Sequence, residues 1–304
     1  MKRAIARSRN STPGPDGIPY EIWALLADLG IDVLSGALSD LAAENFEDLL
    51  TDACRDEPGL LQHSFNLALL YCIPKKPTGH DDAMGDYFTP DHTRPLSVVN
   101  TDNRLLANAC RMAWEAMLSP WVSAMQRGFL RGRSMLGNVL DIEWEAMRIS
   151  LRAESGAILL FDFSAAFPSM AHEYLITVLE ALGAPPSAMN VIKALYSCNN
   201  CHILTGGCLY EGFAIHAGIR QGCPLSRLLF ALTVDLLLRR LAKYCPESMT
   251  RAFADDTAMA TPDIYHTLPI VYGIFSDFAK ISGLDLNIPK TIMIPLAPEA
   301  EARY

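Results

Sequence analysis

The chain has 304 residues, half of them hydrophobic and 19% charged, with a formal net charge of −9. That length and apolar content call for a sizeable core and exclude wholesale disorder. The negative balance argues against a basic protein that coats nucleic acid, though not against an enzyme whose basic residues gather in one groove. In chain order, "RNSTPGPDGIPYEIW" is a turn-rich opening, followed by helix-like segments over 20–28 and 33–50. "LALLYCIPKK" (67–76) reads as a short buried strand leaving into a basic loop, and residues 77–93, polar and without periodicity, read as a mobile loop. Helical periodicity covers 101–118 and 134–153, then "AILLFDF" (157–163) forms a buried strand ending on a carboxylate. Helices follow over 171–182 and 186–197, and then "CNNCHILTGGC" (198–208). Its C-x-x-C-H string matches a haem-attachment pattern, and its Cys/His content suggests zinc. The preferred reading is a β-hairpin turning at Gly206-Gly207. A turn and long helix over 218–244, strand-like stretches around "FADD" and a helix near 264–281 complete the pattern. Helices mixed with short strands in this order imply an α+β fold.

The longest apolar run, "LLFALTVDLLL" (228–238), contains Asp235 and falls short of the ~18 uninterrupted apolar residues that a membrane span needs. "MKRAIARSRNST" lacks the apolar centre of a secretory signal, and the eight cysteines, most inside apolar runs, suit reduced thiols. An intracellular protein without a membrane anchor is expected.

Asp255 and Asp256 stand side by side within a small, apolar run. Like charges in partly desolvated positions oppose each other's ionisation. A solvated surface turn explains such a pair, and so does a bound divalent cation. A tight hairpin would bring both carboxylates to one sheet edge. Asp162 ends another apolar strand, and if the strands are neighbours the three oxygen donors converge, which is ligand chemistry for Mg²⁺.

Read together, the motifs resemble the reverse transcriptase domain of non-LTR (LINE-type) retrotransposons. "STPGPDGIP" (11–19) is similar to the opening motif of that group, while "LLYCIPKK" (69–76) and "TRPLSVVNTDNRLLA" (93–107) resemble its first fingers motifs. "QRGFLRGRSMLGNVL" (126–140), "LLFDFSAAFPSM" (159–170), "GIRQGCPLSRLLFAL" (218–232), "FADD" (253–256) and "GLDLNIPKT" (283–291) follow in the family's order. The resemblance implies a right-hand polymerase with fingers over 1–155 and a palm over 156–304, the two partly interleaved. It implies RNA-directed DNA polymerisation from dNTPs on an RNA template and a DNA primer, in nucleus or cytoplasm. Asp162, Asp255 and Asp256 would hold Mg²⁺, with Mn²⁺ as the alternative. Lys75 or Lys76, with Arg94, would contact the triphosphate, and Gln221 and Gly222 would lie under the nascent base pair. Phe167 is either a gate against the 2′-hydroxyl or a core side chain. Lys290 is either the general acid for pyrophosphate or a surface lysine. Arg127, Arg131 and Arg133 either line a template path or form a basic loop.

Three positions depart from the family pattern: Phe253 replaces a tyrosine, Pro168 an aspartate that is not a metal ligand, and Arg227 a proline. No thumb, primer-grip hairpin, endonuclease or zinc module is visible after "KTIMIPL". The competing expectation is therefore an inactive remnant that at most binds nucleic acid.

Overall fold

The structure, a computed structural model, describes residues 1–8, 11–43 and 65–296. Its strands are β1 Ala68–Pro74, β2 Gly79–Asp81, β3 Gly85–Tyr87, β4 Thr93–Val99, β5 Ala157–Phe161, β6 Cys201–Thr205, β7 Cys208–Tyr210, β8 Met249–Phe253, β9 Asp256–Thr261 and β10 Ile292–Pro295. The chain divides into two compact units, residues 1–112 with 179–226 and residues 113–178 with 227–304. Each is built from two separate stretches of sequence.

In the first unit, β1 and β4 pair antiparallel from Ala68↔Val99 to Pro74↔Thr93, and β1 pairs parallel with β6. The sheet order is β4-β1-β6-β7. The β6–β7 hairpin turns at Gly206 and Gly207, both with positive φ (58° and 78°), the conformation that makes Gly-Gly a two-residue hairpin turn. The haem and zinc readings of this segment therefore give way to the hairpin. Cys198, just before it, is disulfide-bonded, a departure from the expectation of reduced thiols.

Residues 77–93 are more ordered than their polarity suggests. β2 and β3 form a hairpin, Thr78 and Thr89 hydroxyls bond at 2.9 Å, and His80 Nδ1 lies 2.7 Å from Asp86 Oδ1. Such short cross-strand pairs leave no hydrophobic period to read.

The turn-rich opening is tied to the start of the Thr101–Leu118 helix. A Cβ on Gly14 would collide with Asn100, the Trp23 Nε1–H donates to Thr101 Oγ1 (2.8 Å), and Arg104 donates to Ser11 Oγ and Thr12 C=O. Ala4, Ile5, Tyr20, Leu34, Leu105 and Leu106 close a core there. The helix expected over 33–50 occupies Ala27–Ala42, and the part of that expectation from residue 44 lies outside the described residues.

The second unit has an antiparallel sheet in the order β10-β5-β9-β8. Alternation along β5 sends Ala157, Leu159 and Phe161 to one face, where Phe161 and Phe163 meet Phe275 of the Ile264–Ser282 helix at 4.8 and 5.8 Å between ring centroids. On the other face Ile158, Ala258 and Ala260 pack against Ile142 and Ile149 of the Met135–Ser150 helix. Asp263 caps the Ile264–Ser282 helix by accepting from the Tyr265 and His266 amides, and Gly283 (φ 75°) ends it. Among the described residues no helix is long and apolar enough to cross a membrane.

Candidate active site at the β5 and β8–β9 edge

β8 and β9 are joined by a two-residue turn, Phe253 pairing with Asp256 across Ala254 and Asp255. Ala254 takes a left-handed φ of 62°, which costs a non-glycine residue on the order of 1 kcal/mol. The turn exposes the Asp255–Asp256 pair at the sheet end. β5 pairs with β9 up to Phe161↔Thr257, so one further step along the ladder sets Asp162 beside Asp256. Strands far apart in sequence thus bring all three carboxylates to one edge.

Their electrostatics follow from that placement. Partial burial, then Asp255, then Asp162 push the Asp256 carboxyl above the ordinary aspartate range. Asp162 Oδ2 is shielded from water and has no hydrogen-bond partner. The Lys290 ammonium reaches it at 3.7 Å as an ion pair. The Lys290 side chain is itself mostly solvent-exposed and is brought close by the 285–287 segment, whose Asn287 N–H donates to Asp162 C=O at 2.8 Å.

Lys290 supplies one positive charge to three carboxylates, and an all-carboxylate donor set suits a hard divalent ion. The chemistry of the three aspartates therefore fits a hard divalent cation. Among the described residues no three His, Cys, Asp or Glu side chains are grouped so that together they could hold one metal ion. The carboxylates form an open array along the sheet edge, with a lysine close to one end.

Phe167 lies just beyond, in the short Ala166–Ser169 helix. Its ring stacks on Phe230 at 4.5 Å and meets Phe129 edge-on at 6.2 Å, so it is half-buried and held in place. Phe253 lies 6.4 Å from Phe129, and Arg227 covers the same Phe129 ring at 5.2 Å. Arg227, where the family pattern has proline, sits in the first turn of the Ser226–Tyr244 helix, which begins normally around it.

The three arginines of the 127–133 segment separate. Arg133 is spent on backbone, donating to the carbonyls of Ser119, Val122, Ser123 and Gln126, and so is a loop staple rather than a side chain on an open path. Arg127 pairs with Asp141 at 2.7 Å, sharing that carboxylate with Arg251 at 2.6 Å. Arg131 is exposed.

The remaining candidates belong to the first unit. Arg94 pairs with Ile73 in the β4–β1 register, and the ladder continues through the Lys75 N–H, which donates to His92 C=O at 3.0 Å. Alternation then puts Lys75 on the face of Arg94 and Lys76 on the opposite one. Gln221 C=O accepts from Ser97 N–H at 3.2 Å, and Gly222 has φ 114°, with any Cβ only 3.1 Å from Ser97 C=O. Glycine is required there.

Sequence reasoning overlooked Gln126, Gly128, Arg220 and Asp235. Gln126 is fully buried and bonds the peptide groups of Ala254. Asp235 is buried, accepts from the Ser123 N–H and hydroxyl, and pairs with Arg239 at 2.7 Å. An aspartate inside an apolar helix with arginine four residues on was the available signal for a buried anchor.

Residues 73–297 match the family described as reverse transcriptase (RNA-dependent DNA polymerase). The chain is 29% identical over 268 residues to the transposon TX1 uncharacterized 149 kDa protein of Xenopus laevis, covering 84% of this chain and 18% of that protein. It is 28% identical over 305 residues to the retrovirus-related Pol polyprotein from the type-2 retrotransposable element R2DM of Drosophila melanogaster, covering 96% of this chain and 26% of that one. The chain thus spans about a quarter or less of these relatives. Among solved structures, apo telomerase from Candida tropicalis truncated from its C-terminal domain superposes with a TM-score of 0.54 at 13% identity, over 76% of this chain and 50% of that one. Telomerase from Candida albicans, in complex with a fragment of telomeric RNA, gives 0.54 at 12% identity, over 83% and 45%. Both likenesses concern the fold.

Proposed function

Because the chain belongs to the reverse transcriptase (RNA-dependent DNA polymerase) family, as the reverse transcriptase domain of a non-LTR retrotransposon, we propose that it copies RNA into DNA at the β5 and β8–β9 edge. The reaction is attack of a primer 3′-hydroxyl on the α-phosphate of a dNTP, with release of pyrophosphate. The observation that carries this reading is the placement of Asp162, whose water-shielded Oδ2 is ion-paired with Lys290 at 3.7 Å, beside the Asp255–Asp256 hairpin tip. Divalent cations held by Asp162, Asp255 and Asp256, Mg²⁺ or Mn²⁺, would supply activation of the attacking hydroxyl and stabilisation of the leaving oxygen.

The chain's own residues account for the other requirements. In the first unit, Lys75 and Arg94 share one face of the β1–β4 ladder and would bind triphosphate oxygens, the lysine as a point charge and the arginine as a fork. Gln221 and Gly222 would lie under the nascent base pair, with Gly222 held close against the Ser97 carbonyl. In the second unit, Lys290 would leave Asp162 and donate its proton to the departing pyrophosphate. Arg131 would meet template phosphate. An enzyme of this kind, copying a retroelement's RNA, works in the nucleus or the cytoplasm.

The test is primer extension by the purified chain on an RNA template with a DNA primer, dNTPs and Mg²⁺ or Mn²⁺. Extension that needs the metal and stops with EDTA supports the reading. Its absence at high enzyme concentration returns the chain to an inactive remnant that at most binds nucleic acid.

Phe167 gives a separate prediction. Its ring is fixed between Phe230 and Phe129 yet retains an exposed part, as a gate against a 2′-hydroxyl requires. Phe167→Ala is expected to raise incorporation of ribonucleotides relative to deoxyribonucleotides by roughly tenfold or more, the worth of ~1.4 kcal/mol of discrimination. Unchanged sugar selectivity with a lowered Tm would make Phe167 a packing residue only.

A further inference from the structure

A neighbouring segment is bonded to the hairpin turn that carries Asp255 and Asp256. The segment 125–128 runs beside β8 as a short parallel partner. Ala252 N–H donates to Met125 C=O and Arg127 N–H donates to Ala252 C=O, each at 2.8 Å. Between them Gln126, with no exposed surface, turns its side-chain amide onto the hairpin turn. Nε2 donates to Ala254 C=O at 3.0 Å, while Oε1 accepts from Ala254 N–H at 2.9 Å and from Gly128 N–H at 2.8 Å. One amide thus satisfies both peptide groups of Ala254, as a neighbouring strand would. Gly128 permits the approach, since a Cβ there would collide with the Ala254 amide nitrogen.

What this clamp holds is specific. Ala254 is the left-handed residue immediately before Asp255, at a turn position where glycine is preferred. A strained conformation persists only where its surroundings over-determine it. Relaxation at φ of Ala254 would swing the Asp255 Cα–Cβ bond, because the two residues share a peptide. The clamp is itself anchored at its rear, where Arg133 gathers the Ser119, Val122, Ser123 and Gln126 carbonyls and Asp235 holds Ser123.

We infer that Gln126 is a positioning residue for the candidate metal carboxylates: its amide locks Ala254 in the left-handed turn that aims Asp255 and Asp256. This inference depends on the polymerase reading, and the experiment separates the two. Mn²⁺ binding to the wild-type chain, Gln126→Met and Gln126→Glu is followed by electron paramagnetic resonance, without nucleotide. Leu34→Ala, a core truncation in the first unit, serves as a control for lost stability. Gln126→Met keeps the volume and deletes all three bonds, and it is expected to weaken Mn²⁺ binding roughly tenfold or more, the usual cost of losing an outer-shell support. The control should leave binding unchanged at comparable loss of Tm. Gln126→Glu retains the acceptor but sets a carboxylate against Ala254 C=O. Gln126→Glu should therefore also bind Mn²⁺ more weakly than the wild type. Equal Mn²⁺ binding by wild type and Gln126→Met overturns the inference alone. Absence of Mn²⁺ binding in the wild type overturns the metal-dependent reading together with it.

Discussion

An Asp255→Asn chain is expected to lose primer extension by about a thousandfold while becoming more resistant to heat. The catalytic loss corresponds to ~4 kcal/mol of transition-state stabilisation, the scale of losing one anchor of a metal-dependent displacement. The gain in stability comes from the same side chain. Asp255 is one of the charges that push the Asp256 carboxyl upward, second to burial and ahead of Asp162, so its neutralisation relieves a repulsion that exists only in the fold. Because the Asp256 pKa is raised on folding, the favourable contribution of its protonated form is complete below the unfolded carboxylate value, near 4, and is lost as the pH rises through the folded value. Wild type and Asp255→Asn should therefore melt together at about pH 3 and separate as the pH rises from about 4 to 7. The gap should be small and salt-sensitive, because the tip is exposed. Calorimetric scans across that range measure it, and Tm values that coincide at every pH would show that these carboxylates do not repel one another.

Arg220→Met is expected to destabilise the first unit by roughly 1–3 kcal/mol, the usual cost of leaving buried acceptors without their donor. Arg220 is buried, and desolvation draws its pKa down. Among the described residues no carboxylate accompanies it in the network. Its guanidinium donates to Asn66 Oδ1 and Asn199 Oδ1, each at 2.6 Å, to Asn103 Oδ1 at 3.3 Å and to the Leu195 carbonyl, and Tyr196 offers its ring face at 5.7 Å. Asn66 in turn donates to Ala194 and Ser197 carbonyls at 2.6 Å, so one cation joins a strand start, a helix end and the loop that carries Gln221 and Gly222. Methionine fills the volume but removes the guanidinium donors from Asn199 Oδ1, Asn103 Oδ1 and the Leu195 carbonyl, while Asn66 Oδ1 keeps the Asn103 amide at 3.1 Å. Urea unfolding should show a lower midpoint, and KM for dNTP should rise as Gly222 loosens from Ser97. A loss below about 1 kcal/mol would mean that water or rotation of the asparagines compensates, and the network would be incidental.

The elements most legible in the sequence are those whose cause is local. The helices Thr101–Leu118 and Ile264–Ser282 follow the expected spans because a 3.6-residue period repeats without reference to distant chain. The Cys201–Tyr210 hairpin follows from two glycines that accept positive φ, and β5 from a short apolar run. Residues 77–93 were unreadable for the converse reason, since their hairpin rests on exposed pairs with no buried face.

The order of short motifs was enough to identify the family, because chain order is one-dimensional information. It could not say which basic or polar side chains remain free to act. Arg127, Arg131 and Arg133 are equivalent as letters, yet one is salt-bridged to Asp141, one staples four carbonyls and one is exposed. Gln126 acquires its role only when the fold brings it against Ala254, a separation of 128 residues, and Asp235 only against Ser123, 112 residues away. A side chain's period and turn preference are properties of its neighbours in sequence, whereas its partner is a property of packing. The tertiary structure alone therefore decided which of these side chains are bonded to distant residues and which are left exposed.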